Sequence, residues 1–199
     1  EATGVSADGR ITPGCTGIWS DAHIEGLARI ARNIEAAGAV PGIQIGHAGR
    51  KGSTLPPAQG GKPLKPEEGA WETLGPSPIP FGEGWHIPRE MTKADMKQVT
   101  DEFVSSVQRA DRIGYDLVEI HGGHGYLLNQ FLSPLANQRK DEYGGSLENR
   151  MRYPLEVFAA TRAVWPKDKP MGIRVSAVDW VDGGTTIEDT VAFAKELKK

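Results

Sequence analysis

Two imidazoles and a phenol leave the chain together in the run His121-Gly122-Gly123-His124-Gly125-Tyr126. Each neutral imidazole can present one N–H, and the intervening glycines let the backbone turn tightly enough for both rings to converge on one acceptor. Paired N–H donors suit an oxygen that gains negative charge during a reaction. A single histidine at the end of a strand usually completes an internal hydrogen bond, so it is the pairing, with Tyr126 beside it, that points to a site. The same His-x-x-His spacing could supply two zinc ligands, as in barrel hydrolases that collect the remaining ligands from other strands. His47, Glu119 and Asp179 are available for that reading, but no carboxylate-rich or cysteine cluster accompanies them.

Two further polar residues stand inside otherwise apolar text. Gln44 lies among Val, Gly and Ile, and Arg174 among Met, Gly, Ile and Val. Buried polar side chains need partners, and an internal one would suffice, such as an ion pair between Arg174 and Glu119 on the adjacent strand. If both side chains instead face a common mouth, an amide with donor and acceptor edges and a permanent cation match a ring with imide-like edges that becomes anionic. A reduced flavin is such a ring. Arg50, Lys51 and Arg139 read as solvated or helix-capping charges.

The elements that must position these groups follow from periodicity. Ile24, Leu27, Ile30, Ala31 and Ile34 form a helical stripe after Ser20 and Asp21, closed by Gly38, and Val40 to Ile45 is a short apolar strand. From Gly52 to Pro88 the chain is rich in Pro and Gly with little periodicity, a long surface excursion that could cover a site or form an interface. Thr92 and Asp95 resemble a capping pair for a helix that carries Met96, Val99, Phe103, Val107 and Ala110 and stops at Gly114. Asp116 to Ile120 is a strand, and a third helix runs from Ser146 past Pro154 to Trp165. Met171 to Val175 is the next strand, and Thr186 with Asp189 opens a fourth helix. This strict alternation predicts the α/β class with a parallel sheet and crossover helices. Periodicity does not choose between a doubly wound sheet and a barrel, but each strand is apolar until its C-terminal end, where barrel active sites lie. Three strands and a remnant before the first helix make about half of a (β/α)8 barrel.

Composition removes other classes. A formal net charge of −3, without a basic run or acidic tail, gives no footprint for nucleic acid or anionic lipid. No stretch approaches the roughly 20 apolar residues that span a bilayer, and the lone Cys15 cannot form an internal disulfide. These features fit a cytoplasmic setting. Glu1-Ala2-Thr3-Gly4-Val5 is neither an initiator segment nor a signal peptide, which predicts an internal piece of a longer chain.

The sequence resembles the flavin oxidoreductases of Old Yellow Enzyme type, in particular the thermophilic-like bacterial ene-reductases. The resemblance rests on E-A-T-G-V at the start, G-R-I-T-P-G, G-I-W-S-D, G-I-Q-I-G-H-A-G-R-K from Gly42 to Lys51, P-S-P-I-P-F, P-R-E-M, the run from Glu119 to Arg152, and G-I-R-V-S-A-V-D from Gly172 to Asp179. It implies a partial TIM barrel, roughly strands 2 to 5 with their helices, in which residues 1–199 are the central part of one FMN-binding domain. FMN would be the cofactor, NAD(P)H the reductant, and an α,β-unsaturated carbonyl or nitro compound the substrate. Ala2, Gln44 and Arg174 match the family's flavin contacts, His121 and His124 the pair that holds the substrate oxygen, and Tyr126 the proton donor. No metal is implied, and the full-length enzyme could form a homo-oligomer. The resemblance further implies that the first strand, with a redox-tuning cysteine that Cys15 does not replace, and the phosphate-binding last strands lie outside residues 1–199. That piece alone is then expected to bind FMN poorly and to be inactive. Alternatives within the superfamily are a dienoyl-CoA reductase or an amine dehydrogenase, and from another class a zinc-dependent barrel hydrolase.

Overall fold

Strand-forming text in this chain is short and separated by long helices, and a computed structural model, which describes residues 2–198, resolves it into parallel strands joined by crossovers. The elements are β1 (Ala2–Gly4), α1 (Ile24–Ala36), β2 (Gly42–Gly46), β3 (Leu74–Gly75), β4 (Arg89–Glu90), α2 (Lys93–Ile113), β5 (Leu117–Gly122), α3 (Leu127–Leu132), α4 (Leu147–Val164), β6 (Met171–Val175) and α5 (Ile187–Glu196). The main sheet has four strands in the order β1-β2-β5-β6, each pair parallel.

Side chains on successive strand residues point to opposite faces. On one face Ile43, Ile45, Val118 and Ile120 enter a single core with Leu27 and Ala31 of α1, Val99, Phe103 and Val107 of α2, and Tyr153 and Val157 of α4. On the other face Gln44 and Glu119 are half-buried, and Gly42, Leu117, Gly172 and Arg174 are exposed. A doubly wound sheet would be covered on both faces and would reverse its strand order. Helices on one side only, with strands in sequential order, are the arrangement of a barrel wall.

The helices begin where local chemistry starts them. Thr92 Oγ1 accepts from Asp95 N, and the Asp95 carboxylate takes the Thr92 N–H at 2.7 Å, a reciprocal capping box at the head of α2. Asp95 also pairs with Arg89, whose guanidinium holds its carboxyl well below the usual carboxylate range. Gly114, left-handed at φ 100°, closes the helix. The Tyr143-Gly144-Gly145-Ser146 run turns the chain into α4, where Ser146 accepts from Asn149 N, and Pro154 is accommodated, buried, inside that helix.

Several expectations change. Ile30 is 49 % exposed, and the buried stripe of α1 is Leu27, Ala28 and Ala31. The sequence places Ile187, Val191, Phe193, Ala194 and Leu197 on the fourth helix, but in α5 only Phe193 is buried, while Ile187 and Val191 are exposed. The excursion over 52–88 is ordered by short 3-10 turns and by the β3–β4 pair. The short helix α3 adds an element that periodicity does not predict, since six buried residues carry too little of it to be distinguished from a strand.

Phe103 sits fully buried where α2 meets the sheet. Phe103→Ala is expected to destabilise the fold by about 3–5 kcal/mol, read as a lowered urea midpoint at an unchanged m-value.

Candidate active site

Register alone assembles most of the site. Ala2 pairs with Gln44, Gln44 with Glu119, and His121 with Arg174. These residues follow the two-residue period of the sheet, so Gln44, Glu119, His121 and Arg174 share the face that carries no helices. His124 and Tyr126 come from the turn after β5. Together Ala2, Gln44, His121, His124, Tyr126 and Arg174 line one open cavity of about 530 Å³, a size ordinary for small-ligand sites.

His121 is 3 % exposed, and its Nδ1 accepts the Gly123 N–H at 3.3 Å. In the neutral ring that bond assigns the proton to Nε2, so the free edge is a donor. Burial first, then the charges of His124, Arg174 and Lys51, push its pKa down to about 4. At neutral pH it is therefore an uncharged N–H donor. Gly46 makes room for it: a Cβ there would stand 2.9 Å from the His121 Cβ.

His124 is exposed and holds a left-handed backbone at φ 57°. Its N–H donates to Ser176 Oγ at 2.8 Å, and its carbonyl accepts from Lys51 Nζ at 2.8 Å. The His121 ring meets His124 edge-on at 5.1 Å between centroids and Tyr126 at 4.9 Å. Burial, with a contribution from Cys15, pushes the Tyr126 hydroxyl up, so it keeps its proton. Tyr126 is also the N-cap residue of α3, and α3 is tied back to the end of β2. Gln130, 1 % exposed, donates to the carbonyls of Ala48 and Gly125 and accepts from Arg50 N.

The ion pair between Arg174 and Glu119 does not form. Glu119 instead accepts from Gln44 Nε2, and Arg174 makes no salt bridge or hydrogen bond among the described residues. Arg139, Arg50 and Lys51, by contrast, are not loose surface charges. Arg139 is buried, paired with Asp141 and bonded to the carbonyls of Pro76 and Met91, Arg50 donates to the carbonyls of Ile79 and Pro80, and Lys51 holds His124. His47, considered as a metal ligand, is buried with Nδ1 accepting from Gly49 N, and burial pushes its pKa down to about 4. Among the described residues no group of three or more His, Cys, Asp or Glu could hold a metal ion. The sequence reading gives Glu119 another partner, gives Lys51 a solvated or capping role, and gives Gln130 and Ser176 none, although the polar pair Asn129-Gln130 inside an apolar run signals one of them.

A one-sided parallel sheet with a polar cavity at its strand ends defines a TIM-barrel enzyme architecture, part of whose wall this chain builds. A sequence model of the NADH:flavin oxidoreductase / NADH oxidase family matches residues 1–199, and the chain belongs to that family. It is 46 % identical over 199 residues to an NADPH dehydrogenase of Geobacillus sp., covering all of this chain and 54 % of the relative. Its fold matches morphinone reductase with a TM-score of 0.82 at 30 % identity, over 99 % of this chain and 55 % of that one. A 2-naphthoyl-CoA reductase matches with a TM-score of 0.84 at 30 % identity, over all of this chain and 30 % of that one. The chain thus spans about half the length of the curated relative it matches. Family membership implies FMN as cofactor and NAD(P)H as reductant. The inner face fits the flavin ring: Arg174 makes no salt bridge among the described residues, and Gln44, whose amide N–H is taken by Glu119, keeps its carbonyl edge free beside Ala2.

Two imidazoles kept neutral by burial make a pH signature. Their pKa values of about 4 in the folded protein lie below the ordinary 6.5, so the unfolded chain binds more protons between those limits and folding stability falls as pH drops from about 6.5 toward about 4. Urea midpoints across that range are expected to fall, and His121→Gln is expected to flatten the slope.

Proposed function

We propose that the holoenzyme is an FMN-dependent, NAD(P)H-consuming ene-reductase acting on activated C=C bonds of α,β-unsaturated carbonyl or nitro compounds, in ping-pong order. The observation that carries this reading is the convergence of Ala2, Gln44, His121, His124, Tyr126 and Arg174 on one cavity. FMN, when bound, would supply the hydride to the β-carbon after its own reduction by NAD(P)H. Ala2, Gln44 and Arg174 are the residues that would hold its ring, with the Arg174 guanidinium favouring the anionic reduced form.

The rest of the chemistry belongs to this chain's side chains. The Nε2–H of neutral His121, together with the His124 ring, grips the carbonyl or nitro oxygen and stabilises the charge that develops there, as an oxyanion hole does. That grip also orients the substrate and polarises its double bond. Tyr126, whose hydroxyl retains its proton, delivers that proton to the α-carbon. The dienoyl-CoA reductase and amine dehydrogenase alternatives belong to the same superfamily, and the 2-naphthoyl-CoA reductase match keeps the first in view. The higher identity to the NADPH dehydrogenase, 46 % against 30 %, supports the simple ene-reductase. An absorbance spectrum of the holoenzyme separates them, because flavin bands without iron–sulfur absorption belong to the simple enzyme. We place the enzyme in the cytoplasm, with a small-molecule substrate and a homo-oligomeric state as further parts of the reading. No helix among the described residues is long and apolar enough to cross a membrane.

His121→Ala and His124→Ala are each expected to slow the oxidative half-reaction by about 10²- to 10³-fold and to weaken phenol binding, while flavin reduction by NADPH changes little. Stopped-flow measurement of the two half-reactions decides it, and unchanged oxidative rates in both variants would remove the oxygen-binding role. Arg174→Met is expected to lower the flavin reduction potential or FMN retention. A potential and an FMN affinity equal to the parent's would reject the flavin contact.

A further inference from the structure

Left-handed backbone is costly for a residue with a side chain and persists only where the surroundings impose it. His124 adopts it at φ 57°, and both of its peptide groups are held, the N–H by Ser176 Oγ and the carbonyl by the Lys51 ammonium, each at 2.8 Å. Ser176 follows directly on β6, whereas Lys51 arrives from the turn Gly49–Lys51 after β2. Lys51 therefore ties the end of one strand to the turn that ends another.

The same ammonium lies over two aromatic rings. It stands 5.1 Å from the centroid of Tyr126 and 4.5 Å from that of Phe81, the distance range in which a cation is attracted to a ring face. Phe81 belongs to the excursion over 52–88 and packs edge-on against Trp85 at 4.8 Å, so that segment closes over Lys51. Gly125, next to His124, continues the turn at φ 72°, a conformation that favours glycine, and lies against the Lys51 side chain. Lys51 is half-buried, forms no salt bridge among the described residues, and has its pKa lowered by burial and by neighbouring Arg50. A lysine held without a counter-ion is compensated here by one carbonyl and two ring faces. Its charge also helps keep His121 neutral.

We propose that Lys51 is the positioning residue of this site, a cation that locks His124 and Tyr126 against His121 so that both imidazoles and the phenol address one bound ligand. Loss of the ammonium frees the His124 carbonyl, lets the backbone relax from its left-handed state, and turns the His124 ring away from the oxygen it shares with His121. When Tyr126 gives up its proton, the same cation lies over the ring that becomes negative. Lys51 touches neither substrate nor cofactor in this account, which rests on the ene-reductase reading.

The test compares Lys51→Met and Lys51→Arg with the parent holoenzyme. Lys51→Met is expected to lower the rate of 2-cyclohexen-1-one reduction in the oxidative half-reaction by about tenfold, and to weaken binding of 4-hydroxybenzaldehyde, with flavin reduction by NADPH unchanged. Lys51→Arg, which keeps a cation able to donate to the carbonyl and stack on the rings, is expected to restore most of both. A crystal structure of the Met variant is expected to show His124 at negative φ. Unchanged oxidative kinetics and phenol affinity in Lys51→Met would overturn the proposal. So would His124 retaining its left-handed backbone, or equal losses in both half-reactions that Arg does not rescue. A parent holoenzyme that does not reduce the enone sinks the ene-reductase reading instead, while the phenol affinity and the His124 conformation still decide the role of Lys51.

Discussion

The two-residue alternation of a parallel sheet covered by helices on one side governs everything at the site. Once Ile43, Ile45, Val118 and Ile120 are committed to the core under α1, α2 and α4, their neighbours Gln44, Glu119 and His121 have no choice but the other face. A slip of one residue would bury an amide, a carboxylate and an imidazole among Phe103, Val107 and Val157. The cost of leaving such groups unpaired in an apolar core fixes the register, and with it the pairing of Ala2 with Gln44 and of His121 with Arg174.

That constraint reaches the electrostatics. His121 lies at the point where the sheet's inner face meets the turn, buried enough to stay uncharged and open enough to offer Nε2 to the cavity. Among the described residues Arg174 makes no salt bridge beside it, and Glu119 is engaged by Gln44. The result is a surface that donates hydrogen bonds and positive charge with little acid to oppose them, suited to a ligand that becomes more anionic as it reacts.

The turn after β5 is held by contacts that cross the fold. Gln130 and the Leu127 N–H tie α3 to the end of β2, Ser176 and Lys51 fix His124, and Phe81 reaches over from the 52–88 segment. The site is thus mounted on the ends of β2, β5 and β6 together, and its geometry is a property of the wall rather than of the His-x-x-His run.

The sequence by itself determined the alternation of helices and strands, because apolar periodicity and the capping pairs Thr92/Asp95 and Thr186/Asp189 are local signals that need no tertiary partner. It also singled out Gln44, His121, His124, Tyr126 and Arg174, since polar residues in apolar strand text and a glycine-spaced cluster are visible one residue at a time. Only the tertiary structure decided that the sheet is covered on one side, that Glu119 serves Gln44 instead of Arg174, that α3 exists, and that Lys51 holds His124. Lys51 and His124 stand 73 residues apart, and no periodicity within either segment encodes a contact that arises only when parallel strands bring their ends side by side.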